Sequence, residues 1–433
     1  MISVDAIPFV PVSPRERDLL RRLAARVRAI AESEENRRKI SMAKKSNALQ
    51  AERPIIYTQP ENAWNEIIPG ESLECANETL RRWELQLRQR VFWADEIKCD
   101  HSAYPYLEIP WKISWGDHWG VEIKKHSAGS QPGASWAWST DFPIKDIAAD
   151  LPKLHYREPQ VDRAATLAEV ELAGAVFGDL LPARVHWGTY WGTYWATFGL
   201  TVHVLDLVGM ENLMLLFYDD PNGVHALMRF LRDDMLHVLD SFERQGLLHD
   251  NCDADYIGSG GPGHTDELPA PGRPPGAPVR LRDMWGFGES QDTVGIGADM
   301  FAEFILPYQA QIAEKFGLNY YGCCEPLEKR FACLKAQIPR LRRLSVSPWA
   351  NIEEMAALLG RDYVYCRKSP PMPVCAPRFD EMEIRADLRA TLRAAGHLNL
   401  ELVLKDTHTV NCEPGRLARW VAIAREEVDR FFA

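Results

Sequence analysis

No stretch of this chain approaches the roughly 18 to 20 apolar residues that a membrane span requires, and its opening, Met1-Ile2-Ser3-Val4-Asp5, lacks a basic region followed by an apolar one. No membrane partner is expected, and the expected location is cytoplasmic. Positive charge is short as well: 50 Lys and Arg stand against 61 Asp and Glu, a net charge of -11. Binding to a phosphate backbone rests on clustered Lys and Arg, so a nucleic-acid partner is excluded and a small-molecule substrate is expected. The nine cysteines, at positions 75, 99, 252, 323, 324, 333, 366, 375 and 412, are too few and too irregular for a disulfide framework in 433 residues. They are expected to be mostly reduced. Nor does any Gly-x-Gly-x-x-Gly open a helix after a strand, which argues against a dinucleotide-binding sheet.

What is present describes a folded protein with room for a large core. The hydrophobic fraction is 46% and the charged fraction 26%, as in soluble globular domains, and one main domain is the default at this length. Fourteen Trp is a high count, and the aromatics crowd into residues 103 to 140 and 186 to 198. Such crowding suits a flat-walled pocket, and core packing accounts for part of it.

Ser13 and Pro14 supply an N-cap and a first-turn proline, and Leu19, Leu20, Leu23, Ala24, Val27 and Ile30 recur at helical spacing. Residues 14 to 45 therefore read as a basic amphipathic helix, a packing arm or the arm of a homodimer. A second helix is expected over 76 to 98, then a short strand, Tyr106 to Trp111. Further helices are expected at 161 to 181, 211 to 217 and 221 to 246. A Gly/Pro-rich stretch near 257 to 278 cannot be a regular element, and it reads as a lid or an inert insertion. Beyond it comes the segment Trp285 to Asp292 and a helix over 298–316, and then strands at 318, 343, 363 and 399 alternate with helices over 327–337, 351–359, 381–395 and 414–431. Repeating βα units mean a parallel sheet with covering helices. The fold class expected is α/β, a (β/α)8 TIM-type barrel over residues 101–433 carrying the lid, preceded by an N-terminal helical extension over residues 1–100.

Two strand ends carry the chemistry. In Leu318-Asn319-Tyr320-Tyr321-Gly322-Cys323-Cys324-Glu325-Pro326, two adjacent thiols and a carboxylate stand where an apolar run breaks. Side chains alternate along a strand, so both thiols reach one metal only if the strand has ended, and Gly322 and Pro326 favour an ending. The bland alternative is two buried cysteines packing as small hydrophobes. Leu400-Glu401-Leu402-Val403-Leu404 runs into Lys405-Asp406-Thr407-His408, with Cys412 four residues further. Asp406 and His408, two apart, project the same way, so a carboxylate can orient an imidazole or both can face a substrate. Zinc held by thiolates and imidazole with an open position acts as a Lewis acid.

Three further groups are candidates. Glu289, after a glycine-bearing turn and beside Trp285 and Phe287, is a candidate acid, base or ligand. Asp253 and Asp255 stand at loop ends near the lid. The tandem repeat His186-Trp187-Gly188-Thr189-Tyr190-Trp191-Gly192-Thr193-Tyr194-Trp195 clusters aromatics that either clamp a planar or methylated ligand or pack structurally.

Over roughly the last 150 residues the chain resembles the uroporphyrinogen decarboxylase-like superfamily of (β/α)8 barrels. The resemblance is carried by Gly288-Glu289-Ser290-Gln291-Asp292, Tyr321-Gly322-Cys323-Cys324-Glu325, Ser345-Val346-Ser347-Pro348-Trp349 and Leu404-Lys405-Asp406-Thr407-His408, and more loosely by Leu213 to Leu239. True decarboxylases of that family carry Met-Arg-Gln-Ala-Gly-Arg, whose arginines hold the carboxylates of a tetrapyrrole, and this chain has no such stretch. The zinc methyltransferases of the family, O-demethylase components among them, work with methyl-corrinoid proteins and use His-x-Cys at one strand end and a Cys at a later one. On that pattern Cys323 carries over, Tyr321 stands in place of the histidine, and Cys412 is nearest to the later cysteine. Cys324, Glu289 or His408 would replace the histidine.

The resemblance thus implies a zinc-dependent methyltransferase of the corrinoid-linked kind, acting on a small methylated substrate. Cys323, Cys324, His408 and Cys412 would hold the metal. Glu289, His408 and Asp406 would be catalytic, and Trp187, Tyr190, Trp191, Tyr194, Trp285 and Tyr321 would line the substrate pocket. No Asp-x-His-x-x-Gly corrinoid signature occurs, so the cobalt carrier would be a separate protein. The rival readings are a decarboxylase or lyase acting on a small carboxylated substrate and a non-catalytic small-molecule-binding barrel.

Overall fold

The computed structural model describes residues 11–116, 118–127, 138–186, 198–274 and 276–433. Its centre is a six-stranded, wholly parallel sheet. Numbering the strands that matter here in chain order, β1 is Ile55–Thr58, β2 Leu107–Pro110, β3 Ala183–His186, β4 Trp285–Gly288, β5 Leu318–Tyr321, β6 Leu341–Val346, β7 Val364–Ser369 and β8 Asn399–Leu404. The six-stranded sheet runs β1-β8-β7-β6-β5-β4, and β2 pairs with β3 in a separate parallel ladder. Two short antiparallel ladders, Ile113–Ser114 with Gln160–Val161 and Lys124–Ser127 with Trp138–Asp141, stand apart, and among the described residues no closed ring of eight strands is formed.

The alternation expected from the sequence is present. Helices Phe331–Gln337, Ile352–Leu359, Glu381–Ala395 and Gly415–Phe432 follow β5, β6, β7 and β8 in turn. The long helix expected over 298–316 is two, Ala298–Phe304 and Leu306–Ala313, because Pro307 cannot donate the hydrogen bond that would continue it. The helix expected over 14–45 is likewise two, Pro14–Ala31 and Glu34–Asn47. Ser33 restarts the second by accepting from Asn36 N at 3.1 Å. Leu19, Leu20, Ala24 and Val27 of the first pack on Trp83, Leu87 and Phe177 within the same chain. The stretch read as a helical extension also contributes β1, in register with β8 from Ile55 opposite Glu401 to Thr58 opposite Leu404. No single helix among the described residues is long and apolar enough to cross a membrane.

The two faces of the sheet differ in kind. One face presents Ile56, Tyr321, Leu344, Val346, Tyr365, Leu400, Leu402 and Leu404 to the main apolar core, where the helices bury it. The other carries Tyr57, Tyr320, Arg343, Lys368 and Glu401, all fully or nearly fully buried. The Gly/Pro-rich segment read as a lid covers these polar groups with its first half. Arg343 donates to the carbonyls of Gly261 at 2.7 Å and Pro262 at 3.1 Å, Gln59 to that of Gly260 at 2.9 Å, and Lys368 to that of Ser259. Glycine is required at 261 because a Cβ there would lie 2.4 Å from the Tyr57 ring, and at 263 because it would lie 2.1 Å from the Asn251 carbonyl oxygen.

Adjacent βα units are also tied at the periphery. Glu427, on the last helix, accepts from Arg385 at 2.7 Å and from Arg389 at 2.8 Å, with its own side chain 1% exposed. Arg389 first, and Arg385 after it, outweigh burial and hold the Glu427 carboxyl down to about 2. A depressed folded-state pKa contributes stability above the unfolded value and loses it as pH falls through the folded one. Glu427→Gln should therefore cost about 2 kcal/mol at pH 7. The difference from the parent protein should shrink between about pH 4.5 and pH 2, as urea unfolding at several pH values would measure.

Candidate active site

The carboxyl ends of the strands place the reactive groups. Glu289 directly follows β4, Cys323 and Cys324 follow β5, Lys405 and Asp406 follow β8, and Glu61 lies just past β1. β5 stops at Tyr321 because Gly322 turns the chain at φ 98°, a conformation open to glycine and strained for other residues. The turn brings neighbouring thiols, which a continuing strand would point apart, to a Sγ–Sγ distance of 3.6 Å. Glu325 braces it, accepting from Cys323 N at 2.9 Å and Ser290 N at 2.8 Å, and Ser345 Oγ donates to the Cys323 carbonyl at 2.7 Å.

Lys405 joins the two strand ends. Its Nζ stands 3.9 Å from Cys324 Sγ and 2.5 Å from Asp406 Oδ1. Burial works against the ammonium, but the two thiols, Asp406 and Glu61 together raise its pKa. The hydrogen bond from Cys323 and the charge of Lys405 pull the Cys324 thiol below the usual range, against burial. Cys323, the donor in that bond and itself buried, is pushed well above it. Glu289 is also pushed well above the usual carboxyl range, by burial and by Asp292, Glu325 and Cys323 around it. Cys323, Glu289 and Glu325 thus crowd into a buried place that resists their ionisation.

The other residues expected in the site divide. Asp406 and His408 come together as their spacing suggests, and Glu61 joins them: His408 Nδ1 is 3.8 Å from Glu61 Oε2, and ligand atoms of all three lie within 4.8 Å of one another. Cys412 is exposed and its backbone N–H donates to Glu66 at 2.9 Å. Among the described residues, no group of three ligand atoms within 4.8 Å contains Cys323, Cys324 or Cys412. Trp285, the first residue of β4, is buried under the Gly/Pro segment and donates to the Gly263 carbonyl at 2.9 Å. Tyr321 faces the helices and donates to Gln309 at 2.6 Å. Trp187, Tyr190, Trp191 and Tyr194 lie outside the described residues.

A cavity of about 390 Å³ opens beside these strand ends, lined among others by Glu61, Arg90, Tyr104, Glu108, His186 and Asp255. Trp285 and Tyr321 are not in its wall. A larger hollow of about 450 Å³ has no cysteine or histidine in its lining. His186 ends β3, and its Nε2 is 2.6 Å from Asp255 Oδ1, while His249 Nε2 is 3.7 Å from Asp255 Oδ2. Asp255 is visible in the sequence as a loop-end carboxylate. His186 there merely heads the aromatic repeat, and His249 gives no signal beyond standing in the acidic loop that ends at Asp255. Burial lowers the pKa of His249, with His186 adding to it, and Asp255 lies well below the usual range because both imidazoles outweigh its burial.

No protein-family model matches this chain, and no curated protein matches it. Among solved structures the chain is similar to a methyltransferase from Methanosarcina mazei, at 11% identity over 91% of this chain and 99% of that one, with a TM-score of 0.46.

Among the described residues, Lys405 is the ammonium that meets the thiol pair. Lys405→Met should raise the pH midpoint of Cys324 alkylation by about one unit, the scale on which a neighbouring cation acts. Mass-spectrometric mapping of iodoacetamide labelling across pH would read it.

Proposed function

We propose that this chain is a methyltransferase whose reacting groups stand at the carboxyl ends of the parallel strands, with Cys323 and Cys324 holding zinc and Glu289 beside them. The observation that carries the reading is the 3.6 Å between adjacent thiols. Two thiolates on one tetrahedral zinc, each about 2.3 Å from it, lie roughly 3.8 Å apart. Burial and their mutual proximity hold Glu289, Glu325 and Cys323 above their usual pKa ranges, and a cation bound among them would favour their ionised forms. His408 and Cys412, held by Glu61 and Glu66, would stand outside this set.

When bound, zinc supplies Lewis acidity that activates a thiol or polarises a substrate oxygen. Lys405 steadies the thiolate charge through the closed end of β8. Glu289, whose carboxyl is pushed well above the usual range by burial and by Asp292, Glu325 and Cys323, is suited to protonate the oxygen that leaves a methoxy substrate. The cavity of about 390 Å³ is of a size for a small methylated molecule. The methyl group would pass to a corrinoid on a separate protein. In this reading the six-stranded sheet and the β2–β3 pair are parts of an interrupted (β/α)8 barrel, whose chemistry sits at the strands' carboxyl ends.

A second reading rests on Arg90, which stands in the cavity wall with its guanidinium 3.7 Å from the Tyr104 ring centroid. An arginine there would receive a carboxylated substrate, and the activity would be that of a carboxy-lyase.

Metal analysis and a methyl-transfer assay separate the two. Cys323→Ala should release one zinc per chain relative to the parent protein. The parent should methylate free cob(I)alamin from a methoxylated aromatic, followed by the cobalamin spectrum. Glu289→Gln should slow that transfer by about 10²-fold or more. If the zinc content is the same in parent and Cys323→Ala proteins, the thiol reading fails.

A further inference from the structure

We infer that His186, His249 and Asp255 form a second metal centre, separate from the thiols, which holds a divalent transition-metal ion in the wall of the cavity. Their ligand atoms all lie within 4.8 Å of one another, and the side chains are 5%, 7% and 8% exposed. Two imidazoles and one carboxylate are the donor set of open mononuclear sites for zinc, iron and similar ions, which leave coordination positions for a substrate or water. Glu108 Oε1, 3.9 Å from His186 Nε2, is a further donor on the same side. His186, Asp255 and Glu108 all line the cavity, and His249 is not in its wall. An ion held here would face the cavity, where an oxygen donor of a small ligand could complete its shell.

The supporting structure is what a metal site requires, since ligands must be held in place by their surroundings. His186 is fixed at the end of β3. The segment from 249 to 255 is fastened at three points. Asn251 exchanges hydrogen bonds with the Trp285 backbone at 2.8 and 3.0 Å, and Arg273 grips Asp250 through two contacts of 2.6 Å. Arg184 bonds Asp253 Oδ2 at 2.7 Å and the Asp250 carbonyl at 2.6 Å.

A proton shared between His186 and Asp255 is the competing explanation for this buried carboxylate. That pair alone involves one imidazole, whereas His249 lies with its ring centroid 3.7 Å from that of His186 and its Nε2 3.7 Å from Asp255 Oδ2, so both imidazoles converge on one carboxylate. The Glu61, Asp406 and His408 group differs. Lys405 already brings a cation to Asp406, and the His408 side chain is 44% exposed.

The test uses the full chain, stripped with a chelator and titrated anaerobically with Co²⁺. The parent protein should take two ions per chain, one of them giving a thiolate-to-cobalt charge-transfer band. The Cys323→Ala/Cys324→Ala protein should still take one ion, with d–d bands and no charge-transfer band. Adding Asp255→Asn or His249→Gln to that protein should weaken the remaining ion at least about tenfold. With the cysteines intact, the same two substitutions should leave the charge-transfer band in place, which shows that the variants are folded. Absence of Co²⁺ binding in the double-cysteine protein, or binding unchanged by Asp255→Asn and His249→Gln, would overturn this centre. Loss of the thiolate band alone would count against the thiol reading and leave this one standing.

Discussion

The fixed point of this structure is a guanidinium buried among polar groups. Arg343, 0% exposed, lies 3.1 Å from Glu401 Oε1, the carboxylate itself 1% exposed. Its other partners are two carbonyls of the Gly/Pro-rich segment and Asn47 Oδ1, at 2.7 Å. An ion pair this deep brings little net stability by itself, because both charges have left water. What it makes possible is an irregular chain segment packed against a sheet. Backbone carbonyls placed there need donors, and Arg343, Lys368 and Gln59 supply them from one side. The loop that reads as punctuation in the sequence is thereby part of the interior.

That inner polar face also shows where sequence reasoning reaches and where it stops. β5 to β8 and their helices are legible because apolar runs alternate with amphipathic ones of regular length. β1 is not: Ile55-Ile56-Tyr57-Thr58 is short, lies between Pro54 and Pro60, and has its only ladder partner at the other end of the chain. Glu61 went unseen with it, although it is the residue on which Asp406 and His408 meet. The thiol pair is legible because glycine and proline bracket it, and the turn at Gly322 is the device the spacing calls for. Trp285 and Tyr321 mislead for a common reason, since an aromatic beside a strand end can as readily face the core as a pocket. His186 and Asp255 are 69 residues apart, and no local pattern links them.

The two candidate centres differ in electrostatic character. On one side are thiols and carboxyls around Lys405; on the other are paired imidazoles around Asp255. Glu61 stands between, in the cavity wall and within the field of Lys405, which partly offsets the rise that burial imposes on its carboxyl pKa. The thiols and Lys405 follow strand ends, and the imidazole centre joins the end of β3 to the loop segment from 249 to 255, the usual separation of scaffold and chemistry in α/β proteins.

The pairing of the first strand with the last bears on how this polypeptide emerges from the ribosome. β1 has β8 as its neighbour in the sheet, and Asn47 meets Arg343 across 296 residues. At roughly 5 to 20 residues per second of synthesis, β1 waits roughly 17 to 70 s for its partner β8 to exist. During that interval Ile55, Ile56 and Tyr57 have no completed sheet to join, and a nascent chain with such an unpaired strand is a natural client for a chaperone that shields apolar segments.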